Sequence, residues 1–264
     1  MIELADITKT FHAGTINENT AIRNLSLKIN NGDFVTVIGS NGAGKTSLFN
    51  LIAGTTKPTS GKIYLNNKNI TDHREYKRAS YIGRIFQNPL LGTASNMSIE
   101  ENMIISQKKG FKGLKISLNR KNRNLFTEEL KQLDINLENR LKDEVSLLSG
   151  GQRQALTLLM MVQSRPSLIL LDEHTAALDP KNAGIVLSLT NKFISEYNLT
   201  AMMITHNMGQ AIELGNRIIM MDKGEIIFEA SGDDKKSLTV QKLVDKFHDI
   251  RKKDFEVDKT LLSD

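Results

Sequence analysis

The chain has 264 residues, length enough for one large α/β domain carrying an inserted subdomain. Its 39% hydrophobic content and 18 glycines exclude a wholly disordered chain, and the lack of cysteine excludes a disulfide scaffold, a thiolate zinc site and a cysteine nucleophile, in agreement with a cytosolic compartment. The net charge of +5 is local: residues 102 to 127 hold seven bases and no acid, and elsewhere acids slightly outnumber bases, so no nucleic-acid partner is expected.

No apolar run approaches the roughly 18 residues that span a bilayer, and Met1-Ile2-Glu3-Leu4 opens on strand-like alternation rather than on an export signal. Ile2 to Thr8 and Ala21 to Ile29 alternate apolar and polar residues, the pattern of half-buried antiparallel strands, with Phe11 in a polar loop between them. After the turn Asn31-Gly32-Asp33, the run Phe34 to Ile38 predicts a more deeply buried strand. It leads straight into Gly39-Ser40-Asn41-Gly42-Ala43-Gly44-Lys45-Thr46, and Ser47 to Ala53 has helical spacing that stops at Gly54.

Strand, glycine loop and helix together make a Gly-x-x-x-x-Gly-Lys-Thr phosphate-binding loop. Backbone N–H groups from Gly39 to Gly44, including those of Ser40, Asn41 and Ala43, must converge on phosphate oxygens, which demands unusual dihedrals and close approach. Lys45 is expected to reach the β and γ phosphates of a nucleoside triphosphate, Thr46 to ligate Mg²⁺ through its hydroxyl and Ser47 to touch the α phosphate.

Farther along, Gln87 follows the apolar stretch Tyr81 to Phe86, Ser98-Ile99-Glu100-Glu101 reads as a capping-box start, and Asn119 to Leu133 has helical spacing. Ser149 is an N-cap type, and Gly150 and Gly151 free the backbone before an apolar helix from Ala155 to Val162. This is a second helix N-terminus shaped for an anion. Leu168 to Leu171 predicts a central parallel strand that ends at Asp172, expected to hold Mg²⁺, and at Glu173, expected to act as general base on the attacking water. A strand over Ala201 to Thr205 leads to His206, Asp222-Lys223-Gly224 marks a hairpin, and a helix near Val240 to Ile250 precedes a mixed-charge tail.

The string Leu148-Ser149-Gly150-Gly151-Gln152, placed between the phosphate loop and Asp172, resembles the signature of the ABC-family ATPases. The resemblance implies that Ser149, Gly150, Gly151 and Gln152 close over the γ-phosphate held by a partner subunit. It further implies that Phe11 stacks on adenine, that Gln87 senses Mg²⁺ and links core to helical subdomain, that Asp179 crosses the dimer interface and that His206 contacts the γ-phosphate. The sequence departs from the family pattern at His174, Ala176 and Asn207, where proline, serine and aspartate are commoner. None of these removes a phosphate or metal group, and His174 is expected to pack or cap rather than catalyse.

The expected architecture is α/β: a single ABC ATPase domain over 1–264, built on a phosphate-loop NTPase core with a mixed sheet, an antiparallel β subdomain and an inserted α-helical signature subdomain. Residues 1–86 and 165–232 are assigned to the core, 87–164 to the helical subdomain and 233–264 to the C-terminal helix and tail. The resemblance implies an ATP-hydrolysing subunit of a bacterial-type transporter on the cytoplasmic side of the membrane. Its partners would be a second copy of itself, head to tail, or a paralogous ATPase, separate permease chains and an extracytoplasmic solute-binding protein. The segment Gln87 to Ala94, the string Asp172 to Asp179 and the basic insert resemble an importer subfamily linked with aromatic amino acids. An exporter or lipoprotein-release ATPase shares the same catalytic motifs and stays open as an alternative, whereas a soluble ATPase working on ribosomes or DNA would carry two cassettes or a long heptad insert. The basic stretch is either a solvated surface or a contact for an acidic permease face or anionic headgroups.

Overall fold

The computed structural model describes residues 1–107 and 118–248. The strands are β1 (Ile2–Phe11), β2 (Asn19–Ile29), β3 (Phe34–Gly39), β4 (Ser60–Leu65), β5 (Lys68–Asn69), β6 (Ile82–Ile85), β7 (Leu168–Asp172), β8 (Ala201–Ile204), β9 (Arg217–Asp222) and β10 (Glu225–Ser231). The α-helices are α1 (Lys45–Ala53), α2 (Glu75–Arg78), α3 (Ile99–Gln107), α4 (Arg120–Lys131), α5 (Gly150–Gln163), α6 (Pro180–Glu196), α7 (Met208–Glu213) and α8 (Gly232–Lys236), followed by a last helix, α9, over 240–248.

Two sheets organise the molecule. An antiparallel sheet has the order β2-β1-β4-β5, and a mixed sheet has the order β10-β9-β3-β8-β7-β6, parallel except for the edge pair β10 and β9. Because successive side chains on a strand point to opposite faces, each central strand feeds two cores. Leu168, Leu170, Met202 and Ile204 join α1 residues Leu48, Phe49, Leu51 and Ile52 and the inner face of the antiparallel sheet. Ile169, Leu171, Ala201 and Met203 face the other way, onto α5 and α6. The same second core continues through Met103, Phe126 and Leu130 of α3 and α4, so the helical insert packs on the sheet without a separate core of its own.

Local signals set most element ends. The capping box of α5 pairs Ser149 with Gln152 in both directions, Asn119 caps α4 and Asp179 caps α6, each by accepting a backbone N–H. Ser98 and Glu101 make the expected reciprocal bonds ahead of α3. Two details differ from the sequence expectation. Phe11 is not in the loop but closes β1, paired with Asn19, because the ladder with β2 continues through Lys9 and Thr10 although the apolar alternation has ended. The signature helix starts at Gly150 rather than Ala155, since Ser149 caps it directly.

The far end of α1 is held by Arg78, a fully buried guanidinium. It donates to the carbonyls of Leu51 (2.7 Å), Ile52 (2.8 Å), Thr71 (2.9 Å) and His73 (2.9 Å). A cation at a helix C-terminus satisfies orphan carbonyls and opposes the helix dipole, so it fixes where α1 and the loop before it sit.

Of the basic stretch, Lys108, Lys109, Lys112 and Lys115 lie outside the described residues, as do positions 249 and 250 of the expected C-terminal helix and the tail after them. Arg120 and Lys121 are exposed. Arg123 is not a free surface base: it makes a two-armed pair with the buried Glu100 (2.7 and 3.0 Å) that ties α4 to α3.

Candidate active site

In an open α/β sheet the carboxyl ends of the parallel strands mark the ligand side. Here the order β3-β8-β7 brings Gly39, His206 and the pair Asp172 and Glu173 to that side, although they are far apart in sequence. On that side lies a cleft of about 410 Å³ lined by Phe11, Asn19, Ala21, Asn41 to Ser47, Glu173 and His206. That volume suits a nucleotide-sized ligand.

The loop between β3 and α1 is an anion cradle. Gly42 (φ 80°) and Gly44 (φ 97°) both adopt left-handed backbone, and a Cβ on Gly44 would lie 2.5 Å from the Ala21 carbonyl oxygen. Gly44 caps α1 without any side-chain bond, unlike Ser149 on α5, so the first N–H groups of α1 stay available to an external anion. Lys45 is buried, and its ammonium donates to the carbonyls of Gly39 (2.8 Å) and Ser40 (2.9 Å). One of its three donors is left for a phosphate oxygen. Burial lowers the Lys45 pKa, while the charges of Glu173 and Asp172 oppose that shift. The loop is also tethered from outside: Ser40 donates its hydroxyl to Asp222 (2.8 Å) at the end of β9, and the N–H of Gly224 reaches the Ala43 carbonyl (3.1 Å). On the cleft wall, the Lys9 ammonium lies 4.8 Å from the Phe11 ring centroid.

Glu173 is the acidic residue of the cleft. It has left-handed backbone (φ 48°), uncommon for a residue with a Cβ, and it follows the last β7 residue. The turn aims its carboxylate at His206, whose Nε2 lies 2.7 Å from Oε1. The carboxylate of Asp172, close enough for its charge to act on Lys45, is engaged by Arg84, its Oδ2 accepting a bond of 2.7 Å. The neighbouring His174 is fully buried, not catalytic in placement, with Nε2 3.0 Å from the Thr190 hydroxyl. Asn207, another departure from the family pattern, caps α7.

Several expected site residues do not line this cleft. Gly39, Ser40 and Asp172 are not among its lining residues, Gln87 is exposed beyond β6, and Ser149, Gly150, the buried Gly151, Gln152 and Asp179 cluster apart from it. There a Cβ on Gly151 would sit 2.7 Å from the Cβ of Asn182, the residue whose N–H the Asp179 cap receives. Signature and Asp179 are therefore neighbours of each other. The helix carrying the signature is linked to the cleft by Gln154, whose amide donates to the carbonyls of Phe86 (3.1 Å) and His174 (2.8 Å). Gln154, Asp222, Arg84 and Asn19 are positions that sequence reasoning missed, and for Arg84 the signal was present as a single charge inside an apolar run.

Residues 22–176 match the ABC transporter family. A tyrosine transport ATP-binding protein of Clostridioides difficile is 42% identical over 94% of this chain and 98% of its own length. A methionine import ATP-binding protein of Shouchella clausii is 34% identical over 88% of this chain and 65% of its own length. Among solved structures, a dimeric ATP-binding cassette in a post-hydrolysis state bound to ADP and Pi superposes with a TM-score of 0.72 at 28% identity, covering 88% of this chain and 98% of that one. Phosphate loop, acidic strand end, signature and these likenesses agree, and the chain belongs to the ABC transporter family as one of its ATP-binding ATPase subunits.

Proposed function

We propose that this chain powers an importer of a small solute, an amino acid of aromatic type, through separate permease chains at the cytoplasmic side of the membrane. The likeness over nearly the whole chain to a tyrosine transport ATP-binding protein carries this reading. No helix among the described residues is long and apolar enough to cross a membrane, which fits a pathway on other chains. A groove of about 400 Å³ between sheet edge and helices, lined by Phe86, Leu91, Met160 and Met161, offers the permease an apolar seat beside the exposed Leu90. A solute-binding protein on the far side of the membrane completes an importer of this type.

In the hydrolytic site Lys45 and the loop N–H groups hold the triphosphate, and Ser47, in the first turn of α1, meets the α phosphate. Phe11 presents the ring face turned away from Lys9 to the adenine. The hydroxyl of Thr46, the carboxylate of Asp172 and the amide oxygen of Gln87 are hard oxygen donors of the kind Mg²⁺ takes, and the ion bound there would neutralise phosphate charge. Glu173 removes the proton of the attacking water, and His206 fixes that carboxylate through Nε2 and reports on the γ-phosphate beside it. Ser149 to Gln152 and Asp179, which lie off the chain's own cleft, act on the nucleotide of a second copy arranged head to tail. The dimeric form of the solved relative supports this arrangement.

The test is uptake of radiolabelled tyrosine by cells from which the coding sequence has been deleted. Loss of uptake, restored by the wild-type chain and not by Glu173→Gln, is expected; undiminished uptake of all three aromatic amino acids would reject the substrate class.

A further inference from the structure

Arg84 is the sole charged residue between Tyr81 and Phe86. It lies on the edge strand β6, paired in parallel register with Leu170 of β7, and its side chain is 12% exposed. Its guanidinium has three engagements. Nη2 donates to Asp172 Oδ2 at 2.7 Å, Nη1 donates to Asn50 Oδ1 on α1 at 2.7 Å, and the group lies 4.8 Å from the Phe86 ring centroid. Its buried Nε has no hydrogen-bond partner among the described residues. Arg84 also lines the groove assigned above to the permease.

We propose that Arg84 is a positioning residue that holds the Asp172 carboxylate and competes with the divalent cation for it. The guanidinium holds Oδ2 of Asp172, and a cation bound to the same carboxylate would stand close to it, where the two positive groups repel each other. The competitor is Arg84, which bonds Asp172 directly, and not Lys45, whose two hydrogen bonds go to the Gly39 and Ser40 carbonyls. Release of Asp172 does not strand a buried charge, because Asn50 and the Phe86 face still hold the guanidinium. The same side chain borders the groove, so cation loading at Asp172 and the shape of the groove wall are mechanically joined. The proposal rests on the reading of Asp172 as a metal ligand.

The experiment is equilibrium binding of a fluorescent ATP analogue to the full chain, as a function of Mg²⁺ concentration, in a Glu173→Gln background that suppresses turnover. Arg84→Met is expected to lower the half-saturating Mg²⁺ concentration about tenfold, the equivalent of one charge-assisted hydrogen bond. Affinity without Mg²⁺ should stay unchanged. Arg84→Lys, which keeps a charge but replaces a fork by a point donor, should fall between the two and keeps the test alive if the Met variant does not fold. An unchanged or raised half-saturation in either variant overturns the proposal. Asp172→Asn separates the two layers: if it too leaves the Mg²⁺ dependence unaltered, the reading of Asp172 itself is wrong, whereas an effect of Asp172→Asn without one of Arg84→Met rejects only the competition.

Discussion

His174 should make the protein acid-sensitive, and the structure says by how much. Its ring is fully buried next to Glu173, with Nε2 3.0 Å from Thr190 Oγ1. That hydroxyl already donates to the Val186 carbonyl at 2.8 Å, so it must accept from the ring, and the neutral Nε2–H tautomer follows. A second proton would be buried as charge, and burial lowers the pKa from 6.5 to about 4. Since the folded pKa is below the unfolded one, the unfolded state takes up the proton first as pH falls. Stability from this group is thus complete above pH 6.5 and is lost progressively down to pH 4. The shift corresponds to about 3 kcal/mol in all, of which roughly 2 kcal/mol falls between pH 7 and pH 5. Urea unfolding of the wild type and of His174→Gln at both pH values isolates this term from the common carboxylate background, the glutamine amide keeping a donor for Thr190. The wild type should lose about 2 kcal/mol more than the variant on going to pH 5. Equal losses in the two proteins would refute the buried neutral imidazole.

Glu173→Gln should retain ATP affinity and lose about two to four orders of magnitude in hydrolysis, because the shape but not the base is kept; near-normal turnover with the permease present would exclude Glu173 as the base. Gly150→Asp should block ATP-driven dimerisation while sparing nucleotide binding by the single chain, measured by light scattering and by analogue fluorescence. Gly150 is the cleaner probe than Gly151, for its Cβ would meet only a Leu178 methyl at 3.3 Å whereas that of Gly151 would strike Asn182 at 2.7 Å; intact dimers of the Gly150 variant would contradict the shared site. Arg78→Leu should cost about 3 kcal/mol or more of stability in urea, since buried carbonyls at the end of α1 are left without a donor. A loss under 1 kcal/mol, on the order of a surface change, would show that water replaces the guanidinium.

Features with a local cause could be read directly from the order of residues. A glycine loop between an apolar strand and a helix has few backbone solutions, so Gly39 to Thr46 was legible as a phosphate cradle before any neighbour was known. The continuous apolar run before Asp172 has the pattern of a strand buried on both faces, and Ser98, Asn119 and Ser149 announced their helices through side-chain caps a few residues long. The remaining features are non-local. That Glu173 meets His206, that Asp222 braces Ser40, that Gln154 bridges Phe86 and His174, and that Arg84 faces Asp172 all depend on which strands and helices lie side by side. Parallel neighbours are joined through long crossovers, so no local pattern records their order. The order β9-β3-β8-β7-β6 emerges only when the two faces of the sheet are buried together, and it alone turns separate strand ends into one cleft while leaving the signature on another surface.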